Sequence, residues 1–200
     1  MKFSNFSYLM LIACITQVKL SAATVNWYNS AGTELKDFTG AFLYEGPEIG
    51  TYDGDIIQLG YYTLATTASP FSGAWVALKD GTIGDKVNDL HGRYDYTSNI
   101  TVAESLLGIP FVIRFYDSTT LETASFFNAV TDSAGRWNIA NAPMSLSLIS
   151  SDPIWQDGKI SAFRTTISIP EPSSFLLVGL GMGLGLIRRC RRLPVPCKAE

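Results

Sequence analysis

The side chains of this 200-residue chain with chemistry to offer are few: one histidine, three cysteines and scattered acidic pairs. His91 is the sole imidazole, so a multi-histidine metal site is excluded and a Ser-His-Asp triad has a single candidate base. Its setting, Leu90-His91-Gly92-Arg93, reads as a loop entering a strand, which makes it a surface histidine. Neither a Gly-x-Ser-x-Gly nucleophile elbow nor a Gly-x-x-x-x-Gly-Lys phosphate cradle occurs. Asp53 and Asp55, and Asp80, Asp85 and Asp89, lie in glycine-containing stretches where carboxylates can gather around calcium, but their spacing is not that of an EF-hand. Asp-Gly is also the usual chemistry of a tight turn, so these residues are expected to shape the backbone. Serving as the acid/base couple of a glycosidase would require a geometry that only the fold can supply. Tyr61, Tyr62, Tyr94, Tyr96 and Trp155 would make a sugar-stacking platform if they lined one exposed face. Alternation places Tyr94 and Tyr96 on the same side, although most aromatics of such a domain belong to its core. No catalytic residue, metal ligand or cofactor is assigned, and the chain is read as non-enzymatic.

The elements that must position these groups read as strands. Ile56 to Thr63, Trp75 to Leu78, Arg93 to Ile100, Phe111 to Tyr116, Ser125 to Thr131, Arg136 to Ile139, Ser145 to Ser150 and Ile160 to Ile169 are rich in β-branched and aromatic residues. Turn clusters separate them: Asp53-Gly54-Asp55, Lys79-Asp80-Gly81 and Asp132-Ser133-Ala134-Gly135. Thr24-Val25-Asn26-Trp27 alternates like a first strand. Short strands at this spacing predict an all-β fold, an antiparallel β-sandwich of jelly-roll-like kind. The one helical signal is Thr101 to Leu107, where Thr101 and Glu104 fit a capping box.

Both ends of the chain differ from this middle. Lys2 followed by the apolar run Phe6 to Ile15 has the build of a secretory signal, and Ser21-x-Ala23 gives its small-x-small cleavage site, so residues 1–23 read as a signal peptide. A competing pattern, Leu11-Ile12-Ala13-Cys14, fits a lipoprotein box that would anchor the chain through Cys14. At the other end Pro170-Glu171-Pro172 precedes thirteen apolar residues, Phe175 to Ile187, and then Arg188, Arg189, Arg191 and Arg192. As a helix the apolar run spans about 20 Å against a hydrocarbon core of about 30 Å, short enough to need Ser173, Ser174 and the arginine stems to reach across. The prolines block helix upstream, and the arginines stay on the cytoplasmic side, which places the rest of the chain outside.

Residues 24–169 between these ends carry eight basic against sixteen acidic side chains, about −8, where the whole chain carries −3. Phosphate binding needs clustered Lys and Arg, so nucleic acid is excluded as a partner. All three cysteines, Cys14, Cys190 and Cys197, fall in the terminal segments, so the middle domain is expected to fold without disulfides.

Pro-Glu-Pro, a short Gly/Leu-rich apolar segment and an arginine cluster, in that order over about the last thirty residues, resemble the PEP-CTERM sorting signal of bacteria that make extracellular polysaccharide. The resemblance implies recognition by exosortase, a membrane-embedded transpeptidase, with cleavage near Pro170-Glu171-Pro172. The chain departs from the usual signal in continuing from Leu193 to Glu200 beyond the arginines. The expected organisation is a signal peptide (1–23), an exported β-sandwich (24–169) and a sorting signal (170–200) with apolar helix 175–187 and arginine cluster 188–192. The protein is expected to be held in the inner membrane as a precursor and then delivered to the cell surface or matrix, with extracellular polysaccharide as a candidate partner. The rival expectations are a hydrolase of matrix polysaccharide and a lipoprotein.

Overall fold

The computed structural model describes residues 19–47, 53–84, 91–148, 152–159 and 163–169. Nine strands follow in chain order: β1 (Leu20–Tyr28), β2 (Ile56–Tyr62), β3 (Trp75–Thr82), β4 (Asp95–Ala103), β5 (Val112–Tyr116), β6 (Phe126–Asp132), β7 (Met144–Ser147), β8 (Pro153–Trp155) and β9 (Ile167–Ser168). They form a three-stranded sheet in the order β4-β1-β7 and a six-stranded sheet in the order β3-β2-β5-β6-β8, with β9 also paired to β6.

Period-two alternation builds the interior from both sheets. Val25 and Trp27 of β1, Ile100 and Val102 of β4 and Leu146 of β7 belong to the same apolar cluster as Ile57, Leu59, Ile113, Phe115, Val130 and Trp155 of the larger sheet. Trp27 is fully buried, stacks on Tyr96 at 4.7 Å between ring centroids and donates its indole N–H to Ser98 Oγ at 3.1 Å. Strand β5 is buried on both sides. Its Ile113 and Phe115 enter the main core, while Val112 joins Tyr62, Ala65 and Ala129 in a second, smaller cluster on the sheet's other face.

The larger sheet is antiparallel throughout, whereas the smaller one is mixed, because β7 runs parallel to β1 from Val25↔Met144 to Tyr28↔Ser147. This corrects the expectation of a purely antiparallel arrangement. No hairpin sets the direction of β7. The chain leaves β6 in one sheet, runs along residues 108–111 through bonds such as Phe111 N–H to Trp137 O, and then enters the other sheet as β7, parallel to β1. Parallel neighbours need such a crossover.

Several boundaries also differ from the sequence reading. Lys79-Asp80-Gly81 is not a turn but part of β3, which ends at Thr82; the turn comes at Ile83-Gly84, where Gly84 has φ +81°. Gly81 is required there because a Cβ would lie 2.6 Å from the Tyr96 ring, which crosses over from β4. Arg136–Ile139 is irregular, with one bridge at Asn138 to Pro110. Of Ile160 to Ile169 only Ile167–Ser168 is a strand, and residues 160–162 lie outside the described residues. Thr101 belongs to β4, and Glu104–Leu106 is a single 3-10 turn whose cap, Ala103, makes no side-chain hydrogen bond, so the capping box does not form. Strand β8 had no sequence signal. It is three residues long and starts with a proline, which an edge position tolerates.

Between Leu59 and Gly60 the β2–β3 register slips by one residue, and the Trp75 indole lies over Gly60. A Cβ at that position would meet Val76 O at 2.1 Å and the Trp75 ring at 2.8 Å, and the carbonyl, being backbone, cannot move aside cheaply. Gly60→Ala is therefore expected to cost roughly 1–3 kcal/mol by overpacking, read as a lowered melting temperature in a circular-dichroism melt.

Candidate functional site

The residues singled out from sequence scatter across the structure. His91 is an exposed loop residue whose Nδ1 lies 2.6 Å from Glu45 Oε2, and its ring stacks beside Phe42. Asp53 is exposed and Asp55 buried, while Asp80 receives the Gln58 side-chain amide at 2.7 Å. Asp85 and Asp89 lie outside the described residues. Among the described residues no group of three or more His, Cys, Asp or Glu is placed to hold a metal ion. The aromatics do not form a shared exposed platform. Tyr94, Tyr62 and Trp155 are buried, Tyr61 is half-buried, and Tyr94 and Tyr96 share a face as alternation requires, both packing against Trp27.

The acidic turn Asp132 to Gly135 is closed by ions. Arg136 donates to Asp132 Oδ1 and Asp152 Oδ2, each at 2.9 Å, and the backbone N–H groups of Arg136 and Asp152 also donate to Asp132. Burial works against ionisation of Asp132. The Arg136 guanidinium and the two backbone donors outweigh it and hold the carboxyl below the usual range.

One constellation escaped the sequence reading. On the face of the larger sheet turned away from the main core, the Arg114 guanidinium carbon sits 4.4 Å from the Phe127 ring centre, 4.7 Å from Trp75 and 5.4 Å from Tyr62. Arg114 donates to the Tyr62 hydroxyl at 2.6 Å and the Tyr116 hydroxyl at 3.4 Å. Those hydroxyls in turn donate to Gln156 Oε1 and Gln58 Oε1, and Gln58 passes the chain on to Asp80. A row of hydrogen-bonded side chains thus crosses β3, β2 and β5, with the cation held by π faces and phenols and paired with no carboxylate among the described residues. Burial pushes the Tyr116 phenol up, against the pull of the nearby Arg114 charge. The available signal was the alternation in Phe111 to Tyr116, which puts Arg114 on the face opposite Ile113 and Phe115.

Asp55 fastens the start of β2 to the preceding loop. Its N–H donates to Tyr44 O, its own carbonyl accepts from Ile83 N–H, and Oδ2 accepts from Tyr44 N–H, all at 2.8 Å. Burial, reinforced by the negative charges of Asp117, Asp37 and Glu45, raises its pKa from 3.8 to about 6 despite the bond from Tyr44. A carboxyl that binds its proton more tightly folded than unfolded lowers stability as pH rises through the window between the two values. Asp55 should therefore reduce the melting temperature as pH goes from 3.8 to about 6, with no further loss above. Asp132, held low by Arg136, acts in the opposite sense and at lower pH. Asp55→Asn is expected to flatten the decline between those pH values, which melts of parent and variant across the range will show.

The polypeptide leaves this framework at β9. Ile167 and Ser168 pair with Phe127 and Phe126, and Ile169 N–H donates to Ser125 O at 2.9 Å. Pro170 follows at once. Pro170, Glu171, Pro172, Arg188, Arg189, Arg191 and Arg192 lie outside the described residues, as does the apolar run Phe175 to Ile187. Among the described residues no helix is long and apolar enough to cross a membrane. Ser21 and Ala23 lie within β1, opposite Val102 and Ile100.

A mostly β-stranded domain that runs directly into an apolar, arginine-ended tail defines a chain with a terminal address. Residues 168–192 match the PEP-CTERM protein-sorting motif, which implies export and processing by exosortase and sorting to the cell surface. No curated protein and no solved structure matches the chain, and the domain ahead of the motif is β-rich and of unknown kind.

Proposed function

We propose that this is a non-enzymatic surface or extracellular-matrix protein with a β-sandwich domain, a structural or binding component held in the inner membrane as a precursor until exosortase acts. The observation that carries the reading is the sorting motif at residues 168–192, which begins inside β9 and so attaches the address to the sheet without a linker. The sandwich assignment is supported by the apolar cluster that the two sheets share. The non-enzymatic assignment is supported by the structural duties of three of the carboxylates that a hydrolase would have to draw on. Asp55 fastens a loop, Asp132 closes a turn, and Asp80 ends the hydrogen-bonded row that starts from Arg114. Extracellular polysaccharide is the proposed neighbour at the destination.

Each part of the tail has its own physical task. Pro170 and Pro172 keep the processing region out of helix, the apolar run holds it at the membrane, and the four arginines stop translocation. Replacing Pro170, Glu171 and Pro172 with alanine is expected to leave insertion intact and abolish processing, so that a membrane-bound full-length precursor accumulates. Replacing Arg188, Arg189, Arg191 and Arg192 with serine removes several kcal/mol of orientation preference, and the tail should slip through. Fractionation and intact mass, in hosts with and without exosortase, check both. Release of the alanine variant as efficient as the parent's would reduce the tail to a plain anchor.

At the other terminus the proposed cut after Ala23 removes Leu20 to Ala23 from β1 and leaves the pairs Thr24↔Asn99 to Tyr28↔Asp95, together with the whole β1–β7 ladder. Val25 and Trp27, the buried residues that matter to the core, stay in place. N-terminal sequencing of the exported protein is expected to begin at Thr24, and an acylated Cys14 in first position would identify the chain as a lipoprotein.

A further inference from the structure

The described residues expose three large aromatic side chains within one short loop: Phe38, Phe42 and Tyr44 are 51%, 50% and 46% exposed. Single exposed apolar residues are ordinary, but three on one rigid loop call for a partner. The loop is held firmly in shape. Asp37 Oδ1 accepts from Thr39 Oγ1 and from the N–H groups of Thr39, Gly40 and Ala41 at 2.7–2.9 Å, and Asp37 N–H donates to Ala41 O at 2.7 Å. Gly40 has φ +96°, and a Cβ there would lie 2.8 Å from the Arg164 guanidinium, which rests on the loop. The Lys36 ammonium lies 5.1 Å above the Phe42 ring.

This loop stands beside the point where the chain departs for its tail. Phe38 stacks on Phe126 at 4.5 Å, and Phe126 pairs with Ser168. Lys36 N–H donates to Phe163 O at 2.5 Å and Thr165 N–H donates to Lys36 O at 2.9 Å. From Ile169 to the apolar run that starts at Phe175 there are five residues, 170–174. Even fully extended they span about 17 Å. A domain of this length is roughly 30–40 Å across, so in the anchored precursor only the end bearing β9 and loop 36–44 can reach the lipid.

We infer that Phe38, Phe42 and Tyr44 form a membrane-docking surface that seats the exported domain on the outer leaflet of the bilayer while its tail is still attached. Aromatic rings that are apolar at one end and backed by polar groups settle at the lipid headgroup level, and Lys36 and Arg164 beside them favour phosphate. The inference rests on the proposed anchoring by the C-terminal segment.

The test uses the full chain with Cys14, Cys190 and Cys197 changed to serine and one cysteine introduced for a fluorophore, reconstituted into phosphatidylethanolamine–phosphatidylglycerol vesicles. Ala41→Cys places the dye on the loop. Ser105→Cys places it past the far end of β4, a nine-residue strand that separates it from the Asp95 end by about 25 Å. With lipids brominated near the headgroup, the dye at position 41 is expected to be quenched and the dye at position 105 to be unaffected. Adding Phe38→Ser, Phe42→Ser and Tyr44→Ser should remove the quenching at position 41 while the protein still floats with the vesicles. Equal quenching at the two positions in floating protein, or quenching at position 41 that survives the triple change, overturns the docking surface and leaves the anchor standing. Failure of the parent chain to float overturns the anchor itself, and the docking with it.

Discussion

The Tyr96 side chain joins the two sheets, and the arrangement of the domain depends on that junction. From β4 its ring stacks on Trp27 in the middle of the smaller sheet and passes over Gly81 to the edge of the larger one. There its hydroxyl accepts from Thr82 N–H at 2.7 Å and donates to Thr82 O at 2.9 Å. One residue therefore satisfies edge groups of β3 and closes the apolar interior at that side, which accounts for both the glycine at position 81 and the extension of β3 past Asp80. Tyr94, two residues earlier on the same face, is fully buried against Trp27 and continues the seal towards the loops.

How much of this was legible in the sequence depended on whether the determining interaction was local. Phe111 to Tyr116 and Ile56 to Thr63 read correctly as strands because their β-branched and aromatic content reflects burial on a pleated sheet. Lys79-Asp80-Gly81 misread as a turn because the reason for its glycine lies on β4, far off in sequence. Arg136–Ile139 has the composition of a strand, yet its backbone partners are spent on residues 108–111 and it never joins a sheet. The parallel placement of β7 was invisible for the same reason: direction was decided by a crossover and not by a turn motif. The sorting motif at residues 168–192 was legible, since Pro-Glu-Pro, apolar run and arginines form a pattern of order along the chain. The Arg114 row was not, because it draws one or two side chains from each of several separated segments.

The domain is acidic, yet it distributes its few cations with care. Arg93 pairs with Glu34 and Arg136 with Asp132 and Asp152, whereas Arg114 is embraced by rings and hydroxyls. A guanidinium is weakly hydrated and planar, so it can lie between aromatic faces at a cost that an ammonium would not tolerate. Burial of Asp55 among like charges works in the opposite direction and favours its protonated form, against the Tyr44 N–H that donates to the ionised carboxylate.

The shortness of β9 has a mechanical consequence. Any pull on the segment that follows Ile169 meets first the pairs Ser168↔Phe126 and Ile167↔Phe127, at the margin of the sheet. Two residue pairs and the bond from Ile169 N–H to Ser125 O hold β9 to β6, so few backbone contacts oppose a pull that arrives there. Strand β6 has a separate ladder to β5, from Ile113↔Val130 to Tyr116↔Phe127, on its other side. A pull at the junction is thus met at the margin of the sheet, by a strand of two residues, ahead of the longer ladders that frame the core.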